Sequence, residues 1–226
     1  MITYEPSMLK EVQCWVSSRI KYQDSFRICG NSSRNLPLAS EKFSTIPSHM
    51  LSLKKLNKTR FFDPDDMVVG VEAGMSFWTL QKMLGERNMF LPVNHWYPDS
   101  CVGSVAACND FGPNRMFMGG LRDYIIGIEY INGKGEIVAA GGKVVKNVSG
   151  YDLTRMMLGS QGGLGVITAL NFKVLPNPVE PHGKFGIFQD EEWLFQVKEL
   201  LTRRLPLDWI QAVSKHDSSW SLGIGY

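Results

Sequence analysis

The chain has 226 residues, a formal net charge of +2 and 44% hydrophobic residues, enough for one large domain or two small ones around a real core. Charged residues make up 20% with no basic block, which argues against nucleic-acid or anionic-membrane binding. No stretch approaches the ~20 apolar residues that cross a bilayer, and Met1-Ile-Thr-Tyr-Glu-Pro lacks the basic and apolar start of a signal peptide, so a cytoplasmic protein is expected.

Ser7 to Ile20 places Met8, Leu9, Val12, Trp15, Val16 and Ile20 on one helical face, with Ser7 as its cap. Phe26-Arg-Ile-Cys29 reads as a short strand running into a polar turn, Gly30-Asn-Ser-Ser33. Met50 to Leu53 and Met67 to Ala73 read as strands, with Asp63-Pro64 as the turn between them. Ser76 opens a second helix that ends near Gly85. His95 to Gly120 is rich in Gly, Pro, Asn and Asp and reads as loop. Tyr124 to Ile131, Asn132-Gly-Lys-Gly135 and Glu136 to Ala139 form a hairpin pattern. Asp152 to Leu158 suits a short helix, and Leu164 to Leu175 a long strand closed by Pro176. Asn177-Pro178 marks a boundary; beyond it Gly183 to Phe188, Glu191 to Arg203, Leu207 to Val213 and Ser219 to Tyr226 give a β-α-β-β run.

Cys14, Cys29, Cys101 and Cys108 have no C-x-x-C spacing, and His49, His95, His182 and His216 form no close pair. No metal site is therefore expected. Three glycine-bearing turns stand out instead. Gly30-Asn-Ser-Ser33 follows a strand, where successive amides can form a nest for a pyrophosphate, or simply a polar turn. Pro98-Asp-Ser-Cys-Val-Gly-Ser104 has small side chains that admit a ligand or the tight packing of a helix start. Gly162-Gly-Leu-Gly165 enters a strand and fails the G-x-G-x-x-G fingerprint, while Gly127 to Gly135 fails the phosphate-loop spacing and reads as the hairpin turn. Lys146, Asn147, Arg115, Tyr151, Asp123 and Asp152 are polar neighbours of these turns; Phe90, Trp96 and Tyr97 either shield a flat ring or pack.

Taken in order, Gly30-Asn-Ser-Ser, Pro98 to Ser104, Phe111-Gly-Pro-Asn-Arg115, Gly119-Gly-Leu-Arg-Asp123, Gly141-Gly-Lys-Val-Val-Lys-Asn-Val-Ser-Gly-Tyr-Asp-Leu153 and Gly159-Ser-Gln-Gly-Gly-Leu-Gly-Val-Ile-Thr168 carry a resemblance. The sequence resembles FAD-linked oxidases of the p-cresol methylhydroxylase type, and within them the FAD-binding subunits of glycolate oxidases. The resemblance implies an α+β fold. A two-lobed FAD-binding domain would cover residues 1–178, with lobes at 1–66 and 67–178, and a partial cap, half of a ferredoxin-like unit, would cover 179–226.

It also implies FAD as cofactor. Cys29, Gly30, Asn31, Ser32, Ser33, Arg34 and Asn35, together with Pro98, Asp99, Ser100, Cys101, Val102, Gly103 and Ser104, would hold the pyrophosphate. Cys108, Asn109, Asp110, Phe111 and Gly112 would line the middle of the cofactor. Gln161, Gly162, Gly163, Leu164, Gly165, Val166 and Ile167 would bind the adenine end or the ring edge. A Gly165→Val change would then block the ligand path. The first turn departs from the family's glycine run, and Cys101 and Ser104 replace Thr or Ser and Gly, all small. No histidine sits in the first turn, so the FAD is expected to be non-covalent. The implied activity is oxidation of a 2-hydroxy acid such as glycolate by hydride transfer to flavin N5. The alternative is a non-catalytic electron-relay or scaffold subunit beside a catalytic flavin subunit and an iron–sulfur subunit. Residues 183–226 carry open strand edges suited to self-association or a partner, and the chain would be cytoplasmic or peripheral to a membrane through such a complex. No catalytic base is assigned.

Overall fold

A β-strand followed by an amphipathic helix and a second strand folds most readily as a parallel crossover, and the N-terminal part pairs in parallel. The computed structural model describes residues 2–32, 47, 49–93, 97, 99–142, 152–177, 183–189, 192–214 and 219–225. Strand β1 (Ile2–Tyr4), helix α1 (Leu9–Lys21), β2 (Phe26–Cys29) and β3 (His49–Ser52) build a parallel sheet in the order β1-β3-β2. Helix α1 buries Val12 and Val16. Its Trp15 stacks on Tyr4 at 5.6 Å and meets Phe26 edge-on at 5.1 Å, so one indole touches both edge strands. The expected Ser7 cap is replaced by Glu11, whose carboxylate accepts from the Ser7 and Met8 amides at 2.9 and 3.2 Å. A carboxylate in the first turn satisfies orphan amides and complements the helix dipole together.

The second lobe contains β4 (Thr59–Asp63), β5 (Val68–Glu72), α2 (Phe77–Gly85), β6 (Met89–Phe90), α3 (Val102–Cys108), α4 (Arg115–Met118), α5 (Leu121–Tyr124), β7 (Ile125–Ile131), β8 (Ile137–Gly141), α6 (Leu153–Met157), β9 (Val166–Lys173) and β10 (Leu175–Pro176). Five strands form an antiparallel sheet, β4-β5-β9-β7-β8, and β10 pairs with β6. The division expected at residue 66 falls inside the β4–β5 hairpin; the sheets change between Ser52 and Thr59. Strand β4 escapes pattern reading because Phe61 and Phe62 are adjacent and half-buried, so no alternation shows. The stretch expected as loop from 95 to 120 holds α3 and α4. Helix α3 buries Val102, Val105 and Ala106 on one face over only seven residues, and its stability comes from tertiary partners described below.

The hydrophobic core joins both lobes in one cluster, with Val16 and Leu51 from the first and Leu80, Ile131, Leu170 and Phe172 from the second, and among the described residues it takes no fully buried one beyond Val174. The last unit, β11 (Gly183–Gln189), α7 (Glu192–Thr202), β12 (Trp209–Ser214) and β13 (Ser219–Gly225), forms an antiparallel sheet in the order β11-β13-β12. Helix α7 packs through Trp193 on Trp220 at 4.8 Å. Burial here is thin: Phe185 on β11 is 76% exposed.

One polar group is built into the large sheet. The register of β4 shifts between Thr59 and Phe61, at Arg60, whose Nη2 lies 2.8 Å from Glu129 Oε1. Thr168 Oγ1 donates to the same oxygen at 2.7 Å. Burial opposes ionisation of Glu129, but the hydrogen bonds from Arg60 and Thr168 and the Arg60 charge outweigh it and hold the carboxyl below its usual value. A depressed carboxyl pKa stabilises the fold above the unfolded-state value, and that contribution is lost as pH falls through the folded one. Glu129→Gln is therefore expected to lower the urea midpoint at neutral pH. The gap from wild type should close as the pH is taken below the ordinary glutamate range, which paired denaturation curves across pH would measure.

Candidate functional site

Parallel strands present ligands at their carboxyl ends, and the first turn lies there. The Leu53 amide donates to the Cys29 carbonyl at 2.9 Å, joining the ends of β2 and β3. Gly30 follows, buried; a Cβ at that position would sit 2.5 Å from Cys101 Sγ and 3.1 Å from Ser104 Oγ. Asn31 Nδ2 donates to the Asp99 carbonyl at 2.8 Å and clasps the first turn to the second. Ser32 is in the left-handed region, φ 52°. No backbone acceptor among the described residues takes the amides of Gly30, Asn31 or Ser32. They border a cleft of about 560 Å³ whose lining includes Cys29, Ser52, Lys54, Glu5 and Asp99.

The second turn behaves differently. Its helix, α3, begins at Val102, but the amides that a helix N-terminus would offer to an anion are already engaged. Val102 donates to the Met75 carbonyl and Gly103 to the Ala73 carbonyl, both at 2.9 Å, and Ser104 turns back to Cys101. The Ser100 carbonyl accepts from Phe77. What this turn offers the first is side chains: Cys101 and Ser104 face Gly30. Burial pushes the Cys101 thiol above its usual pKa, so it stays neutral.

The third turn closes the other end of α3. Gly159 donates to the Ala106 carbonyl at 3.1 Å and Gln161 to the Ala107 carbonyl at 2.9 Å, while Gly163 donates to Ser160. Gly162 lies against β2, its would-be Cβ 3.0 Å from Ile28 Cδ1. Gly165 has φ 155°, and a Cβ there would stand 2.5 Å from the Ile131 carbonyl oxygen. Its lack of a side chain answers to the close approach of β7, so Gly165→Val would collide with that strand's backbone and not with a ligand path. Val166 and Ile167 pair with Ile131 and Tyr130 in the sheet, and Leu164 is half exposed. The Ser160 hydroxyl is buried with no hydrogen-bond partner among the described residues.

Cys108 ends α3 and Asn109 terminates it in the left-handed conformation, with the Asp110 amide returning to Val105 at 3.0 Å. Phe111 is half exposed under the Arg115 guanidinium, 4.1 Å away, and the Gly112 carbonyl accepts from the Arg115 amide. Asp123 accepts from the Gly120 amide and Asp152 caps α6, so both serve the backbone. Phe90 pairs in β6, and Tyr97 is exposed. Ser33, Arg34, Asn35, Pro98, His95, Trp96, His182, His216 and the Lys146–Tyr151 block lie outside the described residues. His49, in β3, lies 3.2 Å from Arg19, and no metal-competent cluster occurs among the described residues. Lys54 and Glu5 were not singled out from sequence; the signal for Lys54 was its place just past the end of a strand.

The sequence profile of the FAD binding domain matches residues 4–141, more than half of the chain. The chain belongs to this FAD-binding family. It is 39% identical over 119 residues to glycolate oxidase subunit GlcE of Escherichia coli, a match covering 52% of this chain and 34% of that protein. It is 35% identical over 129 residues to a D-lactate dehydrogenase of Anaerostipes hadrus, covering 57% and 27%. The chain thus spans about a third or less of the curated relatives it matches. The crystal structure of alkyldihydroxyacetonephosphate synthase superposes with a TM-score of 0.84 at 17% identity over 99% of this chain and 46% of that one, which establishes the shared p-cresol methylhydroxylase-type fold. FAD is the cofactor of the family. The first turn suits its phosphates: its amides have no backbone acceptor among the described residues, the Asn31 amide meeting only the weakly accepting Cys101 sulfur.

Gly30→Ala is expected to destabilise the protein by about 1–3 kcal/mol, the usual cost of overpacking. Adding Cys101→Gly, which removes both atoms nearest the new methyl, should recover part of that loss. Thermal denaturation of the two single variants and the double variant would show the coupling, and strict additivity would mean that the contact is not the cause.

Proposed function

We propose that the chain is the FAD-binding part of a flavin-dependent oxidoreductase that takes a 2-hydroxy acid such as glycolate or D-lactate. The observation that carries this reading is the first turn: three amides with no backbone acceptor among the described residues, at the carboxyl ends of parallel strands, on an open cleft, in a chain of the FAD-binding family. Gly30, Asn31 and Ser32 hold the pyrophosphate, with Asn31 fixing the turn to Asp99. Cys101 and Ser104 set the floor below Gly30. Phe111 and Arg115 stand exposed beyond the end of α3, where a planar ring can lie. Bound FAD supplies a two-electron acceptor for hydrogen from the hydroxyl-bearing carbon. The substrate class comes from the activities named for the relatives. The FAD is held without a covalent bond.

A second reading is a non-catalytic electron-relay or scaffold subunit in a complex with a catalytic flavin subunit and an iron–sulfur subunit. The word subunit in one relative's name favours it. No helix among the described residues is long and apolar enough to cross a membrane; we place the protein in the cytoplasm or at a membrane surface through its complex.

The readings separate on purified protein loaded with FAD and kept free of oxygen. Bleaching of the yellow colour by glycolate or D-lactate alone is the expected result for the first. Bleaching only after the partner subunits are added supports the relay reading. A colourless protein after loading and desalting would contradict the first reading and the relay form of the second.

A further inference from the structure

Among the described residues lining the cleft, Lys54 is the one cation. Its position is fixed from both sides. The preceding residue, Leu53, donates its amide to Cys29, the residue preceding Gly30, so the base of the lysine and the first turn are tied together. The Lys54 ammonium rests 2.6 Å from Glu5 Oε1, and Lys55 approaches Glu5 Oε2 at 3.4 Å. One carboxylate therefore carries two lysines. Their hydrogen bonds and charges hold the Glu5 carboxyl below its usual range, the Lys54 bond foremost. Both lysines are about half exposed, and exposed pairs of this kind contribute little to stability.

We infer that Lys54 is a cofactor-anchoring residue that leaves Glu5 for the pyrophosphate of the bound dinucleotide, while Lys55 keeps Glu5 paired. This rests on the FAD reading of the cleft. The chemistry is direct. A pyrophosphate carries two negative charges against one on Glu5, and charge-assisted bonds to phosphate are among the strongest available. The amides of Gly30, Asn31 and Ser32 give direction but no net charge, and Asp99 and Glu5 on the same lining are acidic. A mobile ammonium on a flexible four-carbon stem supplies the missing charge without demanding a fixed geometry. Because Lys55 already touches Glu5, the exchange leaves no carboxylate unpaired.

The test is titration of the full chain with FAD, and separately with ADP, at low and high salt. Lys54→Met should weaken both ligands about tenfold and flatten the salt dependence, and Lys54→Arg should restore most of the affinity. Glu5→Gln, which frees the lysine, should tighten FAD severalfold, a gain that misfolding cannot produce. Lys54→Met binding FAD within twofold of wild type, with an unchanged salt slope, overturns the role of the lysine and leaves the FAD reading standing. Wild-type chain that binds no FAD overturns the cofactor reading, and this inference with it.

Discussion

Helix α3 has seven residues and no side-chain cap, too short to hold its own backbone. A buried helix end without partners costs free energy at every orphan amide and carbonyl. Here the β5–α2 connection supplies carbonyls from Ala73 and Met75 to the first turn of the helix, and the 159–161 turn supplies amides to its last carbonyls. The flank of the helix start accepts Gly30 from the other lobe. Three segments far apart in sequence are thus brought to one short helix, and the site exists because that helix must be satisfied.

The same bookkeeping sorts the glycine turns by task. The second and third turns spend amides within the fold, and Gly165 permits the approach of β7. The first turn spends none of its three described amides on backbone. Glycine-rich sequence marks close approach of backbone to something; only the tertiary partners decide whether that something is a ligand or another strand.

That distinction sets what could be read from the residues. The Asn132–Gly135 hairpin was legible because its determinants are local: Asn132 Oδ1 accepts from the amides of Lys134 and Glu136. Helix α2 was legible through Ser76, which accepts from the Thr79 amide. The antiparallel strands β7 and β9 announced themselves by long β-branched runs. Strands β1 and β4 did not, since β1 has three residues and β4 has adjacent phenylalanines. Helix α3 was legible only as one of two readings of the 98–104 turn, a packed helix start or a ligand loop, because its partners, Ala73 and Met75 on one side and Gly159 and Gln161 on the other, lie outside any local window. The family motifs located the turns, yet their spacing carried no information on which amides lack a backbone acceptor. Lys54 likewise gains its meaning only from Glu5, 49 positions away in the chain, and from the cleft they share.

Hydrogen–deuterium exchange at single-amide resolution, with and without FAD, tests this division of labour most directly. Gly30, Asn31 and Ser32 should exchange rapidly in the free protein and become protected on adding FAD. Val102, Gly103, Gly159 and Gln161 should be slow in both states, because their acceptors belong to the fold. Fast exchange at Val102 and Gly103 that FAD suppresses, with no change at residues 30–32, would contradict the account.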